Sequence, residues 1–223
     1  EEERQKYPLH SIDSEIVIRQ IPSLGLSFQL WPAAASLVAI LDRHRNGEST
    51  PLTSILASLQ PPLRILELGS GTGLGGIAAA ALLGARVTVT DLPHVVPNLQ
   101  FNVDANAAIL QKHGGAVDAA PLSWGDAQEM EAIKTANHDL ILGSDLVYHD
   151  HLYEPLLETL KFLMSGSEKR VVFLMAHLKR WKKESVFFKK AKRLFDVEVI
   201  HTDSPSVTGS RTGVRLYRFV SKS

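Results

Sequence analysis

The sequence contains no cysteine. That excludes disulfides, thiolate zinc sites and a cysteine nucleophile, and it fits a reducing compartment. There is no excess of charge either: 24 Lys and Arg balance 24 Asp and Glu over 223 residues. No global field therefore draws the chain to nucleic acid or to an anionic membrane. No apolar run reaches the roughly 20 residues of a membrane span. The opening from Glu1 to Lys6 lacks the apolar centre of a signal peptide. Internal repeats and low-complexity tracts are missing. The histidines form no ligand set: His149 and His151 are spaced for opposite sides of a strand or turn, and His138, His177 and His201 stand apart. The expectation is a soluble cytoplasmic protein, with the nucleus as the alternative, that works as a monomer and needs no metal, membrane or nucleic acid.

With 44% hydrophobic and 22% charged residues the chain has the composition of a folded globular protein. Its length fits one domain with a short extension: residues 1–50 as an N-terminal extension and 51–223 as the main domain. In the extension, Ile16, Ile18 and Ile21 precede the turn-like Pro22 to Gly25, and Leu26, Phe28 and Leu30 follow it, which reads as a β-hairpin. Trp31-Pro32 then opens a helix whose apolar face is Leu37, Val38, Ile40 and Leu41.

From Pro61 onward strands and helices alternate. Strands are expected at 63–68, 86–90, 117–122, 139–143 and 170–176. Helices are expected at 77–83, 95–108, 127–134, 153–164 and 181–194. Two final strands, 197–201 and 214–220, have no helix between them. Such alternation implies right-handed crossovers and a parallel sheet covered on both faces, and the last pair supplies an antiparallel hairpin. The fold class is α/β, a doubly wound and mostly parallel seven-stranded sheet. The connection 202–212 reads as a long loop.

The most informative stretch is Leu63 to Gly76, LRILELGSGTGLGG, in which a strand runs into a glycine-rich turn and then a helix. In open α/β sheets ligands bind beyond the carboxyl ends of the strands, where the strand order reverses. Gly69 and Gly71 allow backbone to approach a ligand, and the following helix offers free N–H groups to an anionic one. The next strand ends in Asp91, whose carboxylate suits the two hydroxyls of a ribose. Glu67 decides between a dinucleotide and a sulfonium nucleoside. A pyrophosphate gains nothing from an acid directly before the first glycine, whereas the acid can engage an amino-acid group or the loop's own amides.

The loop looks like the first motif of the seven-strand S-adenosylmethionine-dependent methyltransferases. With Leu30-Trp31-Pro32-Ala33-Ala34, Thr90-Asp91-Leu92-Pro93, Leu122-Ser123-Trp124-Gly125 and Asp139 to Tyr148 added, the chain resembles the family 16 methyltransferases, which include protein lysine methyltransferases and share a fold with nicotinamide N-methyltransferase. The resemblance implies S-adenosyl-L-methionine as cofactor, with S-adenosyl-L-homocysteine as product. It puts Trp31, Glu67, Gly69, Ser70, Gly71, Gly73, Asp91, Leu92, Trp124 and Ser144 at the cofactor. Asp126 has two open roles, accepting from the adenine amino group or capping a helix.

Asp145-Leu146-Val147-Tyr148 matches the Asp-x-x-Tyr element of the lysine-methylating branch. Asp145 is expected to attract and orient an ammonium group, and Tyr148 to wall the pocket and face the sulfonium. The partner implied is a protein carrying a target lysine. A small-molecule amine methyltransferase, in which the N-terminal segment acts as a lid, is the alternative, followed by a catalytically inactive cofactor-binding scaffold and a dinucleotide oxidoreductase. The basic segment from Lys169 to Arg193 reads as a solvated helix face, with docking of an acidic protein as a second role.

Overall fold

The computed structural model describes residues 1–166, 169–204 and 213–222. Two antiparallel strands, β1 (Glu3–Leu9) and β2 (Ser14–Gln20), open the chain, followed by helix α1 (Pro32–Arg45) and the short α2 (Thr53–Ala57). The core then alternates through β3 (Arg64–Leu68), α3 (Leu74–Leu83), β4 (Arg86–Asp91), α4 (Val96–Ala105), α5 (Ala107–Lys112), β5 (Ala116–Pro121), α6 (Ala127–Lys134), β6 (Leu140–Ser144), α7 (Tyr153–Met164) and β7 (Val172–His177). Helix α8 (Ser185–Leu194) and the strands β8 (Phe195–Thr202) and β9 (Arg215–Ser221) complete it.

The seven strands of the main sheet lie in the order β5-β4-β3-β6-β7-β9-β8. Strands β3 to β7 are parallel, and β9 runs antiparallel to both β7 and β8. The chain winds outward from β3 through β4 to β5, then returns to start again at β6 on the other side of β3. The carboxyl ends of β3 and β6 therefore diverge into a crevice, the place where such sheets bind ligands.

The sheet residues divide by the period of two that a buried strand dictates. Ile65, Leu140, Leu142, Leu174 and Ala176 pack on one side with α1, α3 and α4. Leu66, Leu68, Ile141, Phe173 and Met175 pack on the other with α6, α7 and α8. Helix α3 is buried along nearly its whole length because α1 covers its outer face, which explains a helix built from alanine and glycine rather than from alternating polar residues.

Three sequence expectations change. The hairpin exists, but its turn is at His10 to Asp13 and not at Pro22 to Gly25. Ile16 and Ile18 sit in β2, whose partner is β1, and residues 22–28 form two short 3-10 turns instead of a strand. Strand β1 escaped notice because it is almost wholly exposed and carries no apolar alternation. The other edge of β2 is held by side chains. Asn102 accepts the Arg19 N–H (2.8 Å) and donates to the Arg19 carbonyl (3.1 Å), and Asn106 treats Val17 in the same way (2.9 and 2.8 Å). These amides stand four residues apart and act as a surrogate strand. Second, the helix expected over 95–108 breaks at Asn106 into α4 and α5. Third, α8 begins at Ser185, preceded by a 3-10 turn over Lys182–Glu184. The loop expected over 202–212 lies mostly outside the described residues.

Candidate active site

A cavity of about 290 Å³ opens over the carboxyl ends of β3, β4 and β6, near the lower end of the roughly 300–1,000 Å³ usual for small-molecule sites. Its floor is the turn after β3. Gly69, Gly71 and Gly73 all have positive φ (53°, 56° and 89°), a region open to glycine and costly for residues with a Cβ. Space demands glycine as well: a Cβ on Gly69 would stand 2.6 Å from the Leu146 side chain and 3.2 Å from the Trp124 ring. The Gly73 N–H closes the turn onto the Ser70 carbonyl at 2.8 Å. Gly69, Ser70, Gly71, Thr72, Leu74 and Gly75 line the cavity, whereas Gly73 lies behind it.

Asp91 ends β4 at the lip of the same turn. Its carboxylate accepts the Gly71 N–H and the Leu92 N–H, each at 2.8 Å, one on each oxygen. A carboxylate has about four acceptor positions, so two remain for hydroxyl groups in the cavity. Burial pushes its pKa up, against the pull of those two amides.

Glu67 does not reach the cavity. Of the two roles open to it in the sequence, it fills the one toward the loop: its carboxylate is buried beneath α3 and accepts the Gly76 N–H at 3.0 Å. A Cβ on Gly75 or Gly76 would come within 2.3 and 2.8 Å of its oxygens, so the paired glycines make room for this acid. Burial raises its pKa to about 7, and the nearby charge of Asp91 adds to the rise.

The opposite wall comes from β5 and β6. Leu122, Ser123 and Trp124 line it, as do Ser144, Asp145, Leu146 and Tyr148. Asp126 caps α6, accepting the N–H groups of Gln128 and Glu129 at 3.1 and 2.9 Å, and does not line the cavity. Burial raises the pKa of Tyr148, with the charge of Asp91 adding to the effect. The N-terminal segment closes a third side through Leu26, Ser27, Gln29, Leu30 and Trp31. The Trp31 indole N–H donates to the Leu26 carbonyl at 2.9 Å and so ties this segment together.

One further group in the cavity belongs to no motif of the chain. The turn after β7 brings in Arg180 and Trp181. Asp145 adopts a left-handed φ of 52°, a conformation that Asp tolerates better than most residues. Its carboxylate accepts the Leu178 N–H at 3.0 Å and pairs with the Arg180 guanidinium, also at 3.0 Å. Arg180 in turn lies over the Trp31 ring, 5.3 Å from its centroid. The turn is anchored from beneath by Glu184, fully buried, which accepts the N–H groups of Arg180 and Trp181 and faces His177 at 2.9 Å. The only sequence clue was position, directly after a parallel strand whose carboxyl end neighbours that of β6.

Among the described residues no group of three or more His, Cys, Asp or Glu could hold a metal ion, and no helix is long and apolar enough to cross a membrane. The residues present fit S-adenosylmethionine: a glycine turn with little room for a Cβ at Gly69, a carboxylate with spare acceptor positions at the second strand end, and the Trp124 indole in the same cavity.

Comparison with known proteins agrees. The chain is 39% identical to protein N-lysine methyltransferase METTL21A of Danio rerio over 197 residues, covering 88% of this chain and 78% of that one. It is 34% identical to protein-lysine methyltransferase METTL21E of Mus musculus, covering 86% and 70%. In fold it matches Pyrococcus horikoshii TYW2, solved in complex with MeSAdo, with a TM-score of 0.53 over 99% of this chain and 72% of that one, at 14% identity. The lysine methyltransferase family model matches residues 11–194, and the chain belongs to that family as an S-adenosylmethionine-dependent methyltransferase.

Proposed function

We propose that the enzyme methylates the ε-amino group of a lysine presented by a protein substrate, at the end of the cavity bounded by Ser144, Asp145 and Tyr148. The observation that carries the reading is that Asp145 and Tyr148 share one cavity with the glycine turn and Asp91. The names of the zebrafish and mouse relatives support the same substrate class.

The bound cofactor supplies an electrophilic methyl group on a sulfonium. Gly69 to Gly71 and Asp91 would hold the two ends of its nucleoside and amino-acid parts, with Trp124 against the base. A lysine of ordinary pKa near 10.4 reaches the cavity as an ammonium ion and must lose a proton to become nucleophilic. Asp145 attracts that cation and fixes the direction of its N–H groups, so that the nitrogen lone pair is presented to the electrophile once the proton has left. Tyr148 narrows the approach and excludes water. Positioning of this kind supplies much of the rate gain in a simple displacement.

Incubation of a proteome with the enzyme and tritiated S-adenosylmethionine, followed by mass spectrometry, should place label on lysine side chains. Asp145→Asn should abolish that label while S-adenosylhomocysteine still binds. Label confined to the small-molecule fraction would overturn the proposal in favour of a small amine substrate. That second reading draws on the wall formed by Leu26 to Trp31, which suits a covered pocket. A monomer acting in the cytoplasm belongs to the same proposal, and the cysteine-free composition fits a reducing compartment.

A further inference from the structure

The ion pair between Arg180 and Asp145 stands where a substrate ammonium would have to bind. The Asp145 side chain is only 5% exposed and that of Arg180 24%. Removing the guanidinium without a replacement would leave the buried carboxylate with only the Leu178 N–H at 3.0 Å and the His177 ring nitrogen at 3.6 Å, which is unfavourable. A lysine arriving alone repairs half of that loss, because its ammonium takes the place of Arg180 on Asp145 but leaves Arg180 without an anion. A lysine accompanied by its own carboxylate repairs both halves: ammonium replaces guanidinium on Asp145, and the substrate carboxylate replaces Asp145 on Arg180.

The surroundings of Arg180 favour such a segment. Lys179, Lys182 and Lys183 flank it, exposed to solvent, and α8 beyond them carries the exposed Lys189 and Arg193 four residues apart. None of these five makes an ion pair with a described residue. Glu184, the acid within this stretch, is buried and engaged with His177 and the backbone, so it does not neutralise them. The rim also offers apolar contact: Trp181 is 51% exposed, and Leu26 and Leu92, from other walls of the cavity, are 47% and 42% exposed.

We propose that the cavity mouth docks an acidic protein segment in which the methylated lysine is flanked by Asp or Glu, and that Arg180 is the residue that exchanges partners on binding. The inference rests on the reading of Asp145 as the site of the substrate lysine. It adds the charge of the sequence around that lysine.

The test uses the full chain saturated with S-adenosylhomocysteine and three fluorescein-labelled peptides, each with one central lysine flanked by Glu, by Gln or by Lys. Fluorescence anisotropy should show the Glu-flanked peptide binding about tenfold more tightly than the Gln-flanked one, the Lys-flanked one weakest, and the preference shrinking at high salt. Lys182→Glu with Lys183→Glu should remove the preference, as should Lys189→Glu with Arg193→Glu in smaller measure, and neither pair should alter S-adenosylhomocysteine affinity. Equal binding of the Glu- and Gln-flanked peptides, no binding of the Glu-flanked one, or a preference that survives both charge reversals overturns the inference. Lysine labelling of a proteome with no acidic preference would sink the docking surface alone. Acidic preference with no lysine label would instead sink the methylation reading.

Discussion

Replacing Glu67 by Gln tests the electrostatics of the cofactor loop from underneath. Glu67 is fully buried, and its pKa rises from 4.5 to about 7, mainly because burial disfavours the charged form. The folded protein therefore holds a proton between those values that the unfolded chain has released. Stability contributed by the neutral acid is complete below pH 4.5 and is lost as pH rises through 7. At about 1.36 kcal/mol per pH unit, the interval between 4.5 and 7 amounts to about 3–4 kcal/mol, of which about 2–3 kcal/mol falls between pH 5 and pH 8. Glutamine keeps an oxygen to accept the Gly76 N–H and has no charge to desolvate. Urea unfolding of both proteins across this range should show Glu67→Gln gaining on the wild type by that amount as pH increases, since titrating groups that do not interact with Glu67 cancel in the difference. A difference that stays flat with pH, or grows toward acid, would refute the buried-acid account of the loop.

Asp91→Asn removes a charged acceptor from the lip of the cavity, and calorimetry should find S-adenosylhomocysteine bound about 10- to 100-fold more weakly; unchanged affinity would dismiss Asp91 as a cofactor ligand. Asn102→Ala strips the surrogate strand from Arg19 and frees the Thr72 carbonyl, so denaturant unfolding should register a loss of about 1–3 kcal/mol, and a loss below about 0.5 kcal/mol would make the amide contacts incidental. His138 is buried, and burial lowers its pKa from 6.5 to about 4. Its neutral form therefore stabilises the fold above pH 6.5, and that stability drains away as pH falls to 4, by about 3 kcal/mol. His138→Gln should flatten the acid limb of a melting-temperature profile, and an unaltered limb would contradict the assignment.

The parallel core could be read from the chain because its strands are short apolar runs set between glycine-rich turns and helical segments, all local signals. The glycine turn was legible for the same reason. Positive φ at Gly69, Gly71 and Gly73 and the acid at the end of the next strand are demands of backbone geometry that surface directly as residue choice. The misplaced hairpin shows where such reading stops. Strand β1 has no pattern of its own, and the asparagines that hold β2 lie more than 80 residues away in the chain.

Glu67 and Arg180 mark the same boundary within the site. An acid before the first glycine is plain in the chain, but only packing turned its carboxylate under α3 and away from the cavity. Arg180 sits among lysines on a basic stretch and is distinguished from them by tertiary structure alone, because β7 runs parallel beside β6 and delivers the following turn to Asp145. Residue types and spacing thus determined which chemistry the chain supports. The three-dimensional meeting of strand ends decided which charges face each other, since a charge finds its partner through space and leaves no trace of that partner in its neighbours along the chain.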